Sequence, residues 1–388
     1  MINPKKHILF VNGHLNVGGV ERSLIDLLKH LDYNKYNVDL LLLEGLGDYI
    51  SEVPSKVNII NKDNRTTYGP FFTVLYRSIK TNDWFAVIYR IILLLIRFLG
   101  KNSFKLLVKL FHINKKYDIA IAYRIGFVAD LVIYGINAKK KYCWWHHGAV
   151  DSTMNLDNLK SFDRIIAVSA GIETVLIKQC PFIYQKVSVI PNMIDANVVI
   201  SKSNLEPNPY GYFDGLKFVT IGRLSVEKHF ENVVFAAARL KADRLFNFKW
   251  YIIGVGDLYA QVEELITKYG VSDAVVLCGR KSNPYPYIKH ADIMVHTSHV
   301  ESQGLVILEA MVLDVPCVVT RSIGPSEFII NGKNGIMVEP NVDSLVNGII
   351  HLASNSKLQD KIVKNAKVTV FTNYSPEKII YNFEKLIK

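Results

Sequence analysis

The chain has 388 residues, of which 49% are hydrophobic and 21% charged, and its formal net charge at pH 7 is +11. This length and hydrophobic content suffice for two α/β domains with complete cores and exclude an intrinsically disordered protein. The positive charge admits nucleic acid, an anionic membrane or phosphorylated substrates as partners. The four cysteines stand singly in or beside apolar runs, which predicts neither disulfides nor a zinc site and fits a reducing cytoplasm.

The N-terminus predicts a β-strand, a loop and a helix. Only four strongly apolar residues, Ile8–Val11, follow the basic start, which is too short for the apolar part of a signal peptide. After the loop Asn12–Gly19, a helix is predicted from Val20 because four leucines recur at helical spacing: Leu24, Leu27, Leu28 and Leu31. Gly18 and Gly19 allow backbone amides to approach a ligand, although a Gly-Gly pair alone is usually only a turn.

Between Phe71 and Lys116 the chain is basic and strongly apolar. The segment holds one acid, Asp83, against nine cations: Arg77, Lys80, Arg90, Arg97, Lys101, Lys105, Lys109, Lys115 and Lys116. Arg90 and Arg97 interrupt its most apolar part, so the uninterrupted run falls far short of the ~20 residues that span a bilayer.

This bias in sign favours an amphipathic segment lying in the headgroup plane of an anionic membrane, where each near-surface cation contributes on the order of 1 kcal/mol. The alternative is a helix pair with one face in the core and a solvated basic face. Nucleic acid is not expected as a partner, because the cations interleave with aliphatic runs and not with exposed stacking platforms.

Strands alternate with helical patterns in two successive series, which predicts two parallel sheets covered on both faces. Further strands of the first series are predicted at Val38–Leu43, Ile119–Tyr123, Tyr142–Trp145, Arg164–Val168 and Val187–Ile190. A linker rich in Ser, Asn, Pro and Gly at 201–215 separates a Rossmann-like domain, residues 1–200, from a second one, residues 216–372. Residues 373–388 have the apolar spacing of a final helix.

Polar residues follow several strands of the first domain. Arg124 comes directly after one strand and is a candidate ligand-contacting residue. His146 and His147 end another, and because consecutive strand side chains point to opposite faces, at most one of them enters a ligand site. His147 is favoured because Gly148 follows it, although a lone strand-end histidine more often has a structural role. Asn192 lies in a Pro-Asn-x-x-Asp turn that closes the domain.

In the second domain, the strand from Phe218 to Gly222 runs into two cations, Arg223 and Lys228. Arginine suits bidentate phosphate contact, and lysine is a mobile point charge, so together they are able to neutralise a departing diphosphate. Solvated surface cations are the structural alternative. A further strand ends in a glycine turn at Gly254.

Residues Glu301 to Ala310 predict a loop that leads into an apolar helix with an acid at each end, Glu301 and Glu309. If Gly304 opens the helix before Leu305, its free amides and positive dipole end favour a phosphate. The two acids are eight residues apart, at most ~12 Å along a helix, about the span from the hexose to the ribose of an activated sugar. Two unrelated surface acids are the alternative.

These motifs resemble the nucleotide-binding half of the retaining glycosyltransferases of family 4, which have the GT-B fold. The matching motifs are Gly-Arg-Leu-x-x-Glu-Lys at Gly222, Gly-x-Gly at Gly254, the run from Gly279, Glu-x7-Glu at Glu301, and the Ser322–Glu327 run. The N-terminal half matches the family's Gly-Gly-x-Glu-Arg with Gly18, Gly19, Glu21 and Arg22. This chain departs from the family at Ser302 and Asp314, where glycine is usual.

The resemblance implies two Rossmann-like domains that face each other across a cleft, with the final helix crossing back to the first domain. It implies that Arg223 and Lys228 hold the diphosphate, Glu309 the ribose, and Glu301 the donor sugar or the Lys228 ammonium. One of His146 and His147 lies beside the donor sugar. Other donor contacts are expected at Gly18, Gly19, Asn192, Gly222, Gly254, Ser302, Gln303, Gly304 and Leu305. The acceptor side is expected at Glu21, Arg22 and Arg124.

The expected function is a retaining hexosyltransferase that uses a UDP- or GDP-sugar, needs no cofactor, and acts on a glycan or lipid-linked acceptor in surface-polysaccharide biosynthesis. The sequence has no Asp-x-Asp motif and no His/Cys cluster with ligand spacing, so no metal is expected. The expected location is the cytoplasm, peripherally on the inner face of the plasma membrane. The alternatives are a sugar-nucleotide epimerase on the same fold and a non-catalytic, membrane-bound scaffold.

Overall fold

The computed structural model describes residues 4–45, 47–61, 71–100, 103–149 and 156–388. The chain divides into two compact units. The first consists of the described residues of Met1–His146, Val150–Ile190 and Ile380–Lys388, and the second of His147–Ala149 and Pro191–Ile379. The division at Ile190 lies earlier than the predicted linker, because the helix Ala196–Ser203 packs with elements of the second unit.

The first unit is built on a parallel sheet of seven strands among the described residues, in the order β3-β2-β1-β4-β5-β6-β7. The strands are β1 (Lys6–Asn12), β2 (Tyr36–Leu42), β3 (Val57–Ile60), β4 (Tyr117–Ala122), β5 (Ala138–Trp145), β6 (Arg164–Ala167) and β7 (Val187–Val189). Its central strands are buried on both faces, as the apolar run Ile8–Val11 requires. In the register, Ile8 of β1 lies between Val38 of β2 and Ile119 of β4.

Six helices precede the division at Ile190 in the described part of the first unit. They are α1 (Gly19–His30), α2 (Phe71–Lys80), α3 (Trp84–Leu99), α4 (Phe104–Leu110), α5 (Phe127–Tyr134) and α6 (Ala170–Gln179). The next helix, α7 (Ala196–Ser203), belongs to the second unit. Helix α1 has the acid Glu21 in its first turn and the basic residues Lys29 and His30 in its last, which complements its dipole.

The second unit has a six-stranded parallel sheet in the order β10-β9-β8-β11-β12-β13. The strands are β8 (Leu216–Ile221), β9 (Phe248–Ile253), β10 (Val275–Leu277), β11 (Ile293–His296), β12 (Cys317–Thr320) and β13 (Ile336–Val338). The helices are α8 (Glu231–Ala242), α9 (Tyr259–Lys268), α10 (Tyr285–Lys289), α11 (Leu305–Val312), α12 (Val342–Ala353) and α13 (Ser356–Asn373). The last helix, α14 (Pro376–Ile387), begins in the second unit and from Ile380 belongs to the first. An apolar cluster covers each face of the sheet, which confirms the predicted doubly covered parallel sheets.

The basic segment forms the helices α2, α3 and α4. Asp83 caps α3, because its side chain accepts a hydrogen bond from the Ala86 amide. Arg90 is 7% exposed, with its guanidinium 5.9 Å from the centre of the Phe71 ring. Arg90 is therefore not part of a solvated basic face, and its assignment to a membrane-facing surface is wrong. Lys101 lies outside the described residues.

In the described ranges, no helix combines the length and the hydropathy that crossing a bilayer demands. Helices α2 and α3 instead leave apolar side chains exposed. On α2 these are Phe72, Tyr76 and Ile79, and on α3 they are Trp84, Ile88, Ile91 and Phe98. We call these seven residues the α2–α3 apolar rows.

Candidate active site

In the second unit, the loops after β8 and β11 meet at the carboxyl edge of the sheet. The strand order reverses between these two neighbours, since β9 and β10 extend the sheet to one side and β12 and β13 to the other. Ligands of open parallel sheets bind outside the strand ends at such a point. The loop after β8 carries Arg223 and Lys228, and the loop after β11 carries Glu301.

Lys228 and Glu301 form an ion pair across this point, with Lys228 Nζ 2.5 Å from Glu301 Oε2. Their side chains are 20% and 14% exposed. His296, at the end of β11, places Nε2 3.3 Å from the same oxygen. Burial alone raises the pKa of the Glu301 carboxyl, but Lys228 and His296 reverse that effect and hold this pKa well below its usual range. Glu301 is therefore ionised at neutral pH.

The backbone beside this pair is tied to the sheet. The Thr297 hydroxyl donates to the Lys228 carbonyl at 2.7 Å. The Thr320 hydroxyl, on the neighbouring strand β12, donates to the carbonyls of His296 and Ser298 at 3.2 and 2.8 Å. The ion pair consequently stands on two loops that side-chain hydrogen bonds hold in place. Arg223 is exposed at the start of the same β8 loop.

Helix α11 begins at Leu305 with Gly304 as its N-cap, as predicted. Gly304 has φ of +85°, a left-handed conformation that favours glycine. Glu309 lies on this helix, half-buried, and its Oε1 accepts a hydrogen bond from the Tyr285 hydroxyl at 3.1 Å. The structure thus adds Tyr285 to the site. Tyr285 ends the run from Gly279 that resembles the family, but no role was assigned to it, because nothing in the sequence indicates that α10 lies beside Glu309 of α11.

Gln303 does not present its side chain to a ligand. It is 3% exposed, and its amide bonds the backbone of Asn192 twice. The Asn192 N–H donates to Gln303 Oε1 at 2.8 Å, and Gln303 Nε2 donates to the Asn192 carbonyl at 2.9 Å. Because both polar atoms of the Gln303 amide are used in this way, we correct its predicted role from donor contact to a clamp on the Asn192 turn.

Two glycines bring these loops together. A Cβ at Gly254, whose φ is +147°, would lie 1.8 Å from the Gly222 carbonyl oxygen. A Cβ at Gly324 would lie 2.4 Å from the Ser302 carbonyl, and the Gly324 amide donates to the Glu301 carbonyl at 3.0 Å. Gly222 itself has room for a Cβ, with its nearest neighbour 3.6 Å away. The positions at which this close approach requires glycine are therefore Gly254 and Gly324.

The two departures from the family pattern have structural explanations. Ser302 has no positive φ, so its Cβ introduces no backbone strain. Asp314 has φ of +60°, which explains why glycine is usual there. Its carboxylate forms an ion pair with Lys367, with Oδ2 2.8 Å from Nζ. Neither substitution distorts the loop that carries Glu301.

The first unit has a polar cluster at its own strand-order reversal, between β1 and β4. Arg124, after β4, bonds Glu21 of α1, and His14 Nδ1 lies 3.6 Å from Glu21 Oε1. Glu21 is 2% exposed, while Arg124 and His14 are partly exposed. The sequence predicted Glu21 and Arg124 but not His14, whose loop gave no spacing signal. Gly18 caps α1 and Gly19 is its first residue.

Arg22 has a structural role. It is 6% exposed and donates to Asp26 Oδ1 at 2.5 Å and to Glu52 Oε2 at 2.9 Å. Its guanidinium also lies 5.2 Å from the centre of the Tyr49 ring. Because these neighbours enclose and neutralise it, the expectation that Arg22 faces the acceptor is corrected.

The two histidines after β5 differ in their surroundings. The His146 ring is stacked on Trp144, with ring centres 6.0 Å apart, and lies 4.7 Å from the ring of Tyr123. His147 is exposed. This difference agrees with the expected alternation of strand side chains, while the role of either histidine beside a donor sugar stays a prediction.

Comparison with known families is informative in both halves. The family model "Glycosyltransferase Family 4" matches residues 17–198, and "Glycosyl transferases group 1" matches residues 212–369. The chain belongs to the family 4 type of GT-B glycosyltransferases. The matched ranges contain both polar clusters described above, except for His14.

Two curated relatives and one solved structure illustrate this membership. N-acetyl-alpha-D-glucosaminyl L-malate synthase of Bacillus anthracis is 26% identical over 52% of this chain and 53% of its own. The lipopolysaccharide core biosynthesis glycosyltransferase LpsE of Rhizobium meliloti is 28% identical over 44% and 48%. The chain thus spans about half the length of these relatives. Anabaena HepE in complex with UDP and glucose shares the fold, with a TM-score of 0.71 and 17% identity over 98% of this chain and 99% of that one.

Proposed function

We propose that the protein is a retaining glycosyltransferase that moves a hexosyl group from a nucleoside-diphosphate donor, UDP- or GDP-linked, to a lipid-linked glycan acceptor. The observation that carries this proposal is the Lys228–Glu301 pair, at the strand-order reversal and three residues before the N-cap of α11. A fixed cation, a fixed anion and free helix amides at one point suit a sugar diphosphate, whose charged and hydroxyl-bearing parts need opposite partners.

In the proposed reaction the bond from the anomeric carbon to the nucleoside diphosphate breaks while the acceptor hydroxyl attacks on the same face and passes its proton to the leaving diphosphate, so an α-linked donor gives an α-linked product. Arg223, Lys228 and the first amides of α11 stabilise the charge that develops on the leaving diphosphate. Glu309 accepts from the ribose hydroxyls, and Glu301 from the donor sugar. These fixed charges support a transfer without a divalent metal or a resident cofactor.

A panel of nucleotide sugars tests this proposal. The matching donor should raise Tm at saturating concentration, and the purified chain should then transfer its sugar to a lipid-linked glycan. Nuclear magnetic resonance of the product should show the α anomer. Transfer that gives the β anomer contradicts retention, and an epimerised donor as the only product identifies an epimerase. Binding without turnover on any acceptor supports a scaffold.

The acceptor part of the proposal rests on the α2–α3 apolar rows. Phe72 is 81%, Phe98 77% and Trp84 62% exposed, which is unusual for three large aromatic side chains on adjoining helices of one unit. Exposed cations accompany the rows: Arg77, Lys80, Lys105, Lys109 and Lys116. Aromatic and aliphatic side chains beside an excess of cations suit the headgroup region of an anionic membrane.

We therefore place the protein peripherally on the inner face of the plasma membrane, where lipid-linked precursors of capsule, O-antigen or teichoic-type polymers are assembled. The fluorescence of the protein's own tryptophans tests this location. Trp144, Trp145 and Trp250 are at most 1% exposed, so Trp84 is the tryptophan that senses solvent. Vesicles that contain anionic lipid should shift the Trp84 emission to shorter wavelength.

Amino-acid substitutions distinguish binding through this surface from nonspecific adsorption to vesicles. Ile88→Ser with Ile91→Ser should abolish sedimentation with anionic vesicles, and replacing Arg77, Lys80, Lys105 and Lys109 by glutamine should weaken it in a salt-dependent way. The matched control is Leu205→Ser with Tyr212→Ser, which removes two exposed apolar side chains from the second unit. Equal sedimentation of all variants contradicts the membrane proposal.

A further inference from the structure

His296 ends β11 directly beneath the ion pair, and no part of the proposed reaction has used it. It is 2% exposed. Side chains alternate along a strand, so His296 shares a face of the sheet with Met294, which belongs to the same apolar cluster as Ile307 and Met311 of α11. The imidazole therefore lies between the sheet and the helix whose N-terminus adjoins Glu301.

The contacts of the imidazole point to a single target. Glu301 Oε2 lies 3.3 Å from Nε2, yet this buried nitrogen makes no hydrogen bond of acceptable geometry with any described residue. Burial, the largest influence, lowers the pKa of His296, while the nearby Glu301 carboxylate opposes this. A neutral imidazole in this position has one N–H to give, and the carboxylate is the group that benefits when Nε2 carries it.

We propose that His296 is a positioning residue: its neutral Nε2–H donates to Glu301 Oε2 from below, so that the carboxylate keeps its orientation while Lys228 exchanges between Glu301 and the donor diphosphate. This inference rests on the proposed function. Without the second donor, a carboxylate released by Lys228 is free to rotate away from the donor sugar. Thr297 and Thr320 fix the backbone on which this arrangement depends.

Three variants test the role. His296→Leu removes the donor but fills the space with an apolar side chain, so Tm should stay the same or rise, because a buried polar group without ideal partners is no longer present. The expected kcat falls about tenfold, in line with loss of one hydrogen bond to a charged group. Nucleoside-diphosphate affinity should change by less than about threefold, since this ligand lacks the sugar that Glu301 contacts.

His296→Gln carries an amide nitrogen at the height of Nε2 and should restore kcat to within about threefold of the parent. The matched control is His290→Leu, the same change at the C-cap of α10 just before β11, which should leave kcat unaltered. Equal kcat for the parent, His296→Leu and His296→Gln overturns the inference. So does a loss of kcat in both variants that parallels a loss of Tm, because that pattern indicates a structural role.

A spectroscopic measurement keeps the inference separate from the proposed function. In ¹⁵N-histidine spectra of the whole chain at neutral pH, with the signal assigned by its absence in His296→Leu, Nε2 should be the protonated nitrogen. Glu301→Gln should shift this signal. If Nδ1 carries the proton, the inference fails whether or not the chain turns over a nucleotide sugar. If Nε2 carries it but no donor is used, the proposed function fails alone.

Discussion

Lys228 Nζ and Glu301 Oε2 lie 2.5 Å apart although 73 positions separate the two residues in the chain. The same two strands carry a second ion pair at their other end, where Lys217 Nζ lies 2.9 Å from Asp292 Oδ2. The two pairs thus share β8 and β11 but differ in position, because only the first lies at the carboxyl edge where parallel sheets bind ligands. This difference gives each pair a distinct expected phenotype.

Lys228→Met should lower kcat at least about a hundredfold, because a cation that stabilises the leaving diphosphate is lost. It should also destabilise the fold by about 2 to 3 kcal/mol, because it leaves a largely buried carboxylate without its ion partner. Adding Glu301→Gln should recover most of the stability and none of the activity. Urea unfolding and initial-rate kinetics on the three variants measure both effects.

Lys217→Met is the control for this comparison. Its pair is more exposed, with side chains 21% and 39% accessible, so its loss should change stability by less than about 1 kcal/mol and leave kcat unaltered. If Lys217→Met and Lys228→Met reduce kcat equally, the activity of the site does not depend on its place at the strand-order reversal.

Tyr285→Phe tests the link between α10 and α11. The Tyr285 hydroxyl bonds Glu309 Oε1 at 3.1 Å, so its removal should loosen the carboxylate that we propose holds the ribose. We expect KM for the donor to rise about three- to tenfold with little change in kcat, because the ribose is bound equally in the ground and transition states. Initial rates over a range of donor concentrations measure this split. An unchanged KM excludes Glu309 as a ribose ligand oriented by Tyr285.

The sequence predicted those parts of the fold and site that depend on local pattern. Long apolar strands such as β1 and β8 and the helix start at Gly304 were predicted because periodicity and glycine placement are local properties. The short strands β3, β10 and β13 were not predicted, whereas the equally short β6 and β7 were. The charges of Arg22 and Arg90 looked available in sequence, yet both are buried by partners distant along the chain.

His296, Tyr285 and His14 mark the same limit within the candidate sites. Each gains its place from tertiary contact, with Glu301, Glu309 and Glu21 respectively. The Tyr285–Glu309 contact depends on α10 and α11 becoming neighbours, whereas the two histidines reach their acids through the conformation of the short loops between them, which spacing alone does not fix. The Gln303 amide likewise has an unremarkable sequence position, and its use by the Asn192 backbone follows only from the folded arrangement.

Gln303→Leu should destabilise the fold more than the small change in side-chain volume suggests. The change removes both hydrogen bonds to Asn192 and leaves one N–H and one carbonyl buried without their partner, which is expected to cost about 2 to 4 kcal/mol. Gln303→Glu should be similarly harmful, because a carboxylate has no N–H for the Asn192 carbonyl. The free energy of unfolding in urea measures both. As a control, Gln359→Leu removes an amide on α13 that bonds helix-end carbonyls near the surface and should have a smaller effect. A stable Gln303→Leu contradicts the clamp.

Acidification should destabilise the loop that carries Lys228. The neighbouring His229 stacks on His299, with ring centres 3.5 Å apart, and His229 Nδ1 lies 2.8 Å from Glu231 Oε1. Desolvation lowers the pKa of His299 first, and the charge of His229 lowers it further, while Glu231 opposes the shift. Because this pKa lies below its value of 6.5 in the unfolded chain, the unfolded state takes up the proton first on acidification.

The stability contributed by His299 is therefore complete above about pH 6.5 and is lost as the pH falls through the lower folded pKa. His299→Phe keeps a ring against His229 but does not titrate. Its Tm should change little relative to the parent at pH 8 and should exceed the Tm of the parent at pH 5.5, since the parent loses on acidification the stability that depends on the lowered pKa of His299. Calorimetry across this range checks the prediction. If Tm of the parent and of His299→Phe falls equally with pH, protonation of His299 does not affect the stability of the fold, and the prediction is wrong.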